Sequence, residues 1–250
     1  MNMESLGGGY KRRDNTVYFS GARISKADHA SFAYLGGSWA RDAERVYDCG
    51  SVLRSADYGS FAVLSSVFAK DARTVFYVGG SVKEADAASF VALDSGCHFS
   101  SPGAYPVSYC GYGRDRAHIF HHVETIGKPG VVRKADHASF RSLEGVYGLD
   151  DHAAFIDRRQ IKGANPRTWF SMQGLYSRDD QRVYYDNLVL KGADVESFIC
   201  LWGDHGTWAK DKNRYYDVGR PATQDQYLEV LASEAEHLES LKEALLAGRL

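Results

Sequence analysis

The sequence predicts a β-rich α+β fold: a tandem, solenoid-like array of seven units of about 29 residues, each a β-hairpin or β-meander followed by a short helix, with one amphipathic helix at the C-terminus. Three observations predict it. An Ala-Asp-x-x-Ser-Phe element recurs with its acid (once an amide) at Asp28, Asp57, Asp86, Asp136, Asn165 and Asp194, in steps of 29, 29, 50, 29 and 29. Aromatic residues recur in the same frame, which accounts for an aromatic content of 13%. Leucines at spacings of three and four then run through the last 25 or so residues. Self-similarity at such a period marks a repeat architecture, in which each unit buries its apolar face only against its neighbours.

Residues 1–9, with Gly7, Gly8 and Gly9, read as a flexible lead-in. The array spans 10–222, its units opening at Tyr10, Trp39, Phe68, Tyr112, Tyr147, Tyr176 and Trp208. Three positions after the opening aromatic stand Asp42, Asp71, Asp115, Asp150, Asp179 and Asp211, with Arg13 in the first unit. Aspartate there bonds its own backbone two residues on and favours a tight hairpin turn. Eight positions after the opening aromatic comes a second ring, from Tyr18 and Tyr47 to Tyr184 and Tyr216, within Val-Tyr-Tyr-like stretches that suit a pleated strand. A small-residue turn near Gly21, Gly50 or Gly79 leads to a brief third strand. The Ala-Asp-x-x-Ser-Phe element then predicts a helix of one or two turns with the acid as N-cap, and Pro166 after Asn165 fits a first helical position. The period is shorter than the roughly 40–45 residues of a four-stranded propeller blade, which favours an open array.

From Gln224 onward, Leu228, Leu231, Ala235, Leu238, Leu241 and Leu245 follow helical spacing, with glutamates largely opposite. Residues 223–250 are expected to cap the last unit, which repeat arrays generally need, or to form a partner or homodimer helix.

The regular step breaks once. About 15 extra residues intrude between Leu93 and Tyr112 (insertion 94–111), and the hairpin over 121–132 is longer than its counterparts. Insertions in repeat arrays map to loops on one face, often the binding face, although a neutral insertion is the alternative. This stretch also gathers Cys97, His98, Cys110, His118, His121 and His122, but in no spacing that matches a zinc motif, so no metal site is assigned.

The stretches YSRDDQRVYYDN (Tyr176–Asn187) and WAKDKNRYYD (Trp208–Asp217), with Gly192–Phe198, resemble the signature of the bacterial DKNYY-repeat family over residues 10 to about 222. The resemblance implies a repeat fold and brings no activity or cofactor with it. Relatives of this kind occur in bacteria, some with export signals and some encoded near secreted toxins.

Composition narrows the function classes. A net charge of -2 offers no basic field for a phosphate backbone, so nucleic-acid binding is not expected. The N-terminus lacks an apolar export segment and no stretch reaches membrane-spanning length, so a cytoplasmic protein without membrane attachment is expected. Four cysteines without a C-x-x-C pair suit a reducing compartment. No phosphate-binding loop, dinucleotide fingerprint, nucleophile elbow or H-E-x-x-H is present, and the recurrent aspartates read as turn entries and caps. The expectation is a non-catalytic protein-binding scaffold without cofactor, most specifically an immunity-type protein that blocks a co-encoded toxin domain. Its contact residues would be Tyr105, Tyr109, His121, His122 and Trp202, tyrosine and tryptophan being frequent anchors. The alternatives are an enzyme or small-molecule or metal binder with a pocket near 94–132, and a purely structural, self-associating repeat protein.

Overall fold

The computed structural model describes residues 3–99, 106–123, 127–143, 145–201 and 207–246. Among these, the chain forms seven four-stranded antiparallel sheets, one two-stranded ribbon and a single helix. The chain divides into two compact units, Met1–Asp150 with Asp157–Arg159, and Asp151–Ile156 with Gln160–Leu250.

In each four-stranded sheet the strands lie in chain order; six are simple meanders, and in the fourth the ribbon intervenes between the first strand and the second. In the second, Ala33–Gly36, Trp39–Arg41, Val46–Asp48 and Ser51–Val52 lie side by side. The central hairpin is the one the sequence predicts, with Trp39 opposite Asp48 and Arg41 opposite Val46. Two expectations need correction. The residues directly after the recurrent Phe (once Trp169) form a further strand, so four strands fit into 29 residues; strands as short as the two residues of Ala62–Val63 make this possible. The Ala-Asp-x-x-Ser-Phe element is a turn between sheets, not a helix. Only four residues separate its acid from the next strand, as between Asp28 and Ala33, too few to recover the cost of nucleating a helix.

The lead-in, from residue 3 onward, is also part of the fold. Glu4–Gly7 pairs with Tyr10–Arg13 as the first strand of the first sheet. Gly8 adopts φ 55°, and a Cβ on it would lie 2.4 Å from the Gly37 carbonyl oxygen, so the triple glycine makes a tight turn under Tyr34.

The core is a repeating chain of rings. The opening aromatic of one sheet meets the Phe of the following turn, which meets the second aromatic of the next sheet. Tyr10, Phe32 and Tyr47 follow one another at 5.4 and 5.3 Å, Phe68, Phe90 and Phe120 at 5.3 and 5.9 Å, and in the second unit Tyr176, Phe198 and Tyr216 at 5.5 Å each. Tilted geometry at these separations is favourable for aromatic pairs. Tyrosine hydroxyls tie the same sheets through backbone: Tyr10 donates to Ser38 O and accepts from Gly50 N–H, and Tyr176 donates to Thr207 O and accepts from Gly219 N–H.

The helix, Gln224–Leu246, opens with a reciprocal cap in which Gln226 N–H donates to Thr223 Oγ1 and Thr223 N–H donates to Gln226 Oε1. Tyr227, 4% exposed, seats its first turn beside Trp208 and Tyr215, under the Lys210 ammonium. Leu228, Leu231 and Leu238 remain exposed, so the helix does not lie along the last sheet with its leucine stripe as a cap would.

Candidate functional site

The recurrent acids come first, since paired carboxylates are the obvious catalytic candidates. Asp42 is 1% exposed. Its Oδ1 accepts from Glu44 and Arg45 N–H at 2.9 and 2.8 Å, which closes the hairpin turn; its Oδ2 accepts from Asp28 N–H at 3.0 Å and from the Tyr47 hydroxyl at 2.5 Å. The turn acid of one hairpin therefore holds the backbone of the preceding turn. Asp71, Asp115, Asp150, Asp179 and Asp211 hold Asp57, Asp86, Asp136, Asn165 and Asp194 N–H in the same way. The second acid answers: Asp28 accepts from Ala30 N–H and Ser31 Oγ, and Ser31 Oγ accepts from Ala43 N–H. Burial pushes the Asp42 carboxyl up, but the Tyr47 and backbone hydrogen bonds outweigh it and the group titrates below the ordinary range. Asp179 behaves alike. The oxygens of Asp42 and Asp179 are thus taken up by turn backbone and a tyrosine hydroxyl. The Ser31-type relay escaped the sequence, where the same residues read equally well as a helix cap.

The interruption is the remaining candidate. Its first residues pack down: Asp94 accepts from Tyr112 N–H at 2.8 Å and Ser142 Oγ at 2.6 Å, and Cys97 Sγ lies 3.0 Å from Ser66 Oγ. A Cβ on Gly111 would stand 2.2 Å from Asp94 Oδ1, which explains glycine there. His98–Phe99 and Pro106–Ser108 form the two-stranded ribbon. The central hairpin of the fourth sheet, Cys110–Arg114 with Ile119–Val123, is longer than those of the neighbouring sheets, with Cys110 opposite Val123.

Tyr105 and Trp202, expected at a partner contact, lie outside the described residues. Tyr109 is half-buried against the cluster containing Phe68, Phe90 and Phe120. His121 and His122 correct the expectation, for each is 2% exposed and neither offers its ring to a partner. Both faces of the lengthened strand are covered. His121 stacks on Tyr112 at 4.1 Å and its Nε2 faces Gly145 O at 3.1 Å, so that nitrogen carries the proton. His122 sits between Phe68 and Tyr77, and neither ring nitrogen makes a hydrogen bond of acceptable geometry. Burial drives both imidazoles down to about 4, opposed by the backbone of Gly145 for His121 and of Gly127 for His122. Both are neutral at pH 7. His29 and His137, which occupy equivalent positions in two Ala-Asp-His-Ala-Ser-Phe copies, are half-buried, and the His137 ring bonds Asp115 O at 2.6 Å.

A cleft beside His121 is lined also by Val123, Lys128, Asp157 and Arg158 and has room for about one water, about 10 Å³. Small-molecule sites run to about 300 Å³ and more. His121 Nδ1 stands 3.9 Å from Asp157 Oδ1, too far for a direct hydrogen bond. Among the described residues no three His, Cys, Asp or Glu converge as metal ligands, and no helix is long and apolar enough to cross a membrane.

The architecture that emerges is that of a β-rich protein built from short, mutually latched hairpin sheets. Residues 39–188, three fifths of the chain, match the model of the DKNYY family, and the chain belongs to that family. No curated protein and no solved structure matches it.

Proposed function

We propose that the chain is a non-catalytic, protein-binding repeat scaffold, and within that class an immunity-type protein that neutralises a bacterial toxin domain. The observation that carries the reading is where the regular pattern is used up and where it is broken. Each recurrent acid from Asp42 to Asp211 latches one turn to another, a structural use of the repeated carboxylates that supports a scaffold. The break, from 94 to 132, adds a ribbon and a longer hairpin to one sheet, and irregular additions to regular scaffolds are where recognition concentrates. The immunity assignment draws further support from the likeness to bacterial relatives encoded near toxins.

The test is affinity capture with the tagged full chain in its native cell, followed by mass spectrometry and reconstitution from purified components. A single protein bound at fixed stoichiometry, whose toxicity the chain suppresses, is the expected result. Stoichiometric zinc in the purified protein, or turnover of a small molecule without any partner, would overturn it.

A further inference from the structure

The helix Gln224–Leu246 is the place where the fold leaves an interaction surface open. Its 23 residues extend about 34 Å at about 1.5 Å per residue. Tyr227 secures its first turn, yet Leu228, Leu231 and Leu238 are 47, 42 and 63% exposed, with Ala235 also exposed between them. Spacings of three, four and three place these four residues on one stripe at a and d positions of a heptad.

Charge decides what can cover that stripe. The helix contains Asp225, Glu229, Glu234, Glu236, Glu239 and Glu243 against Lys242 alone, a net -5, whereas the rest of the chain carries +3 of the total -2. Of the positions that flank the stripe, g and e, the charged ones are Asp225, Glu234 and Glu239, all acidic, beside the uncharged Tyr227, Ala232 and Leu241; Glu234 and Glu239 form one g–e pair. In a parallel pair of identical helices these two positions face each other, so a second copy would set glutamate against glutamate. A helix with leucines on its own seam and Lys or Arg at its flanks would turn both repulsions into attractions. We infer that this helix is the docking arm for a basic, amphipathic helical segment of the partner protein. The inference rests on the protein-binding reading and names the surface and the chemistry through which binding occurs.

The probes are three labelled 22-residue peptides added to the full chain and followed by fluorescence anisotropy: a leucine seam flanked by lysines, the same composition with the seam scrambled, and a leucine seam flanked by glutamates. The first should bind at least about tenfold more tightly than the other two and weaken several-fold in 0.5 M salt. Leu228→Ser/Leu231→Ser/Leu238→Ser should abolish that binding with an unchanged denaturation midpoint, since the leucines are exposed. Glu234→Lys/Glu239→Lys should reverse the preference between lysine and glutamate peptides. Equal binding of the scrambled peptide, undiminished binding by the triple variant, or self-association that the triple variant abolishes would each overturn the inference. Capture of the native partner by the triple variant as efficiently as by the natural chain would also overturn it, while leaving the protein-binding reading intact. Failure of both chains to capture any protein would remove that reading itself.

Discussion

Asp42 in the second sheet and His122 in the fourth are both buried polar groups, and they are satisfied in opposite ways. Asp42 accepts four hydrogen bonds, three of them from backbone, and its environment stabilises the charged form. His122 has aromatic neighbours and no well-formed hydrogen bond, and its environment stabilises the neutral form. The regular sheets thus repeat a solved problem, whereas the interrupted sheet carries a polar group that the packing merely encloses. A stability difference between the two regions follows, and substitution can break it from either side.

The largest effect is expected at the latch. Asp42→Ala strands three backbone N–H groups and the Tyr47 hydroxyl at once, and should cost about 3–5 kcal/mol in denaturant unfolding. Asp179→Ala should match it, because Asn165, Gln181, Arg182 and Tyr184 repeat the arrangement. A loss below about 1 kcal/mol at both sites would mean that the latch is incidental to the fold.

Acid should then separate the two regions by pH. The folded-state values of His121 and His122 lie below that of a free imidazole, so between about pH 6.5 and about 4 the unfolded chain binds protons that the folded chain refuses. The stability they contribute is complete above about pH 6.5 and is lost as pH falls toward 4, by about 3 kcal/mol for one fully shifted histidine. After burial, the neighbouring His122 and Arg158 add to the difficulty of charging His121, and only the Gly145 carbonyl opposes it. The latch carboxylates Asp42, Asp115, Asp179 and Asp211 are depressed instead, so their contribution persists down to the ordinary carboxylate range and fails below it. His122→Leu should flatten the upper portion of the stability–pH curve and leave the lower portion in place; an unchanged upper slope would show that His122 titrates normally.

A finer comparison lies within the latch itself. Tyr47 donates to Asp42, whereas its counterpart in the third sheet, Phe76, has no hydroxyl to donate to Asp71. Tyr47→Phe should cost about 1–2 kcal/mol and raise the Asp42 titration, bringing acid unfolding to a higher pH. Identical acid curves for the natural chain and Tyr47→Phe would show that the three backbone donors suffice.

These contrasts also explain what the residues alone could tell. The period, the central hairpins and the burial of the recurrent rings were legible because Asp at a turn entry and an aromatic every 29 residues each have one dominant structural meaning. The strand Ala62–Val63 was not legible, since two residues have no periodicity. Asp28-x-x-Ser31 was read as a helix cap because a capping carboxylate and an Asx turn need the same side chains. What separates them is the Ser31–Ala43 hydrogen bond, which joins residues twelve apart. His121 and His122 were placed on a contact surface because they lie in the lengthened hairpin of the interrupted stretch, where insertions in repeat arrays often form the binding face. In Ile119–Val123 both faces are covered, and adjacent residues are buried together.

The smallest predicted effect concerns a position where one sheet departs from the others. The turns before the fourth strand use left-handed residues: Ser20 and Gly21, Cys49 and Gly50, and in the seventh sheet Val218 and Gly219, with φ 43° at Val218. Such turns twist with their flanking strands, and asparagine or aspartate followed by glycine is their preferred sequence. A β-branched side chain pays most in this region, because its γ-carbons crowd the backbone. Val218 is also partly exposed, so little packing offsets the strain. Val218→Asn should therefore stabilise the chain by about 1 kcal/mol, seen as a higher denaturation midpoint with an unchanged slope. Ser20→Asn, at a residue already free of branching, should gain less; equal gains at the two sites would place the strain in the turn as a whole instead of in the valine.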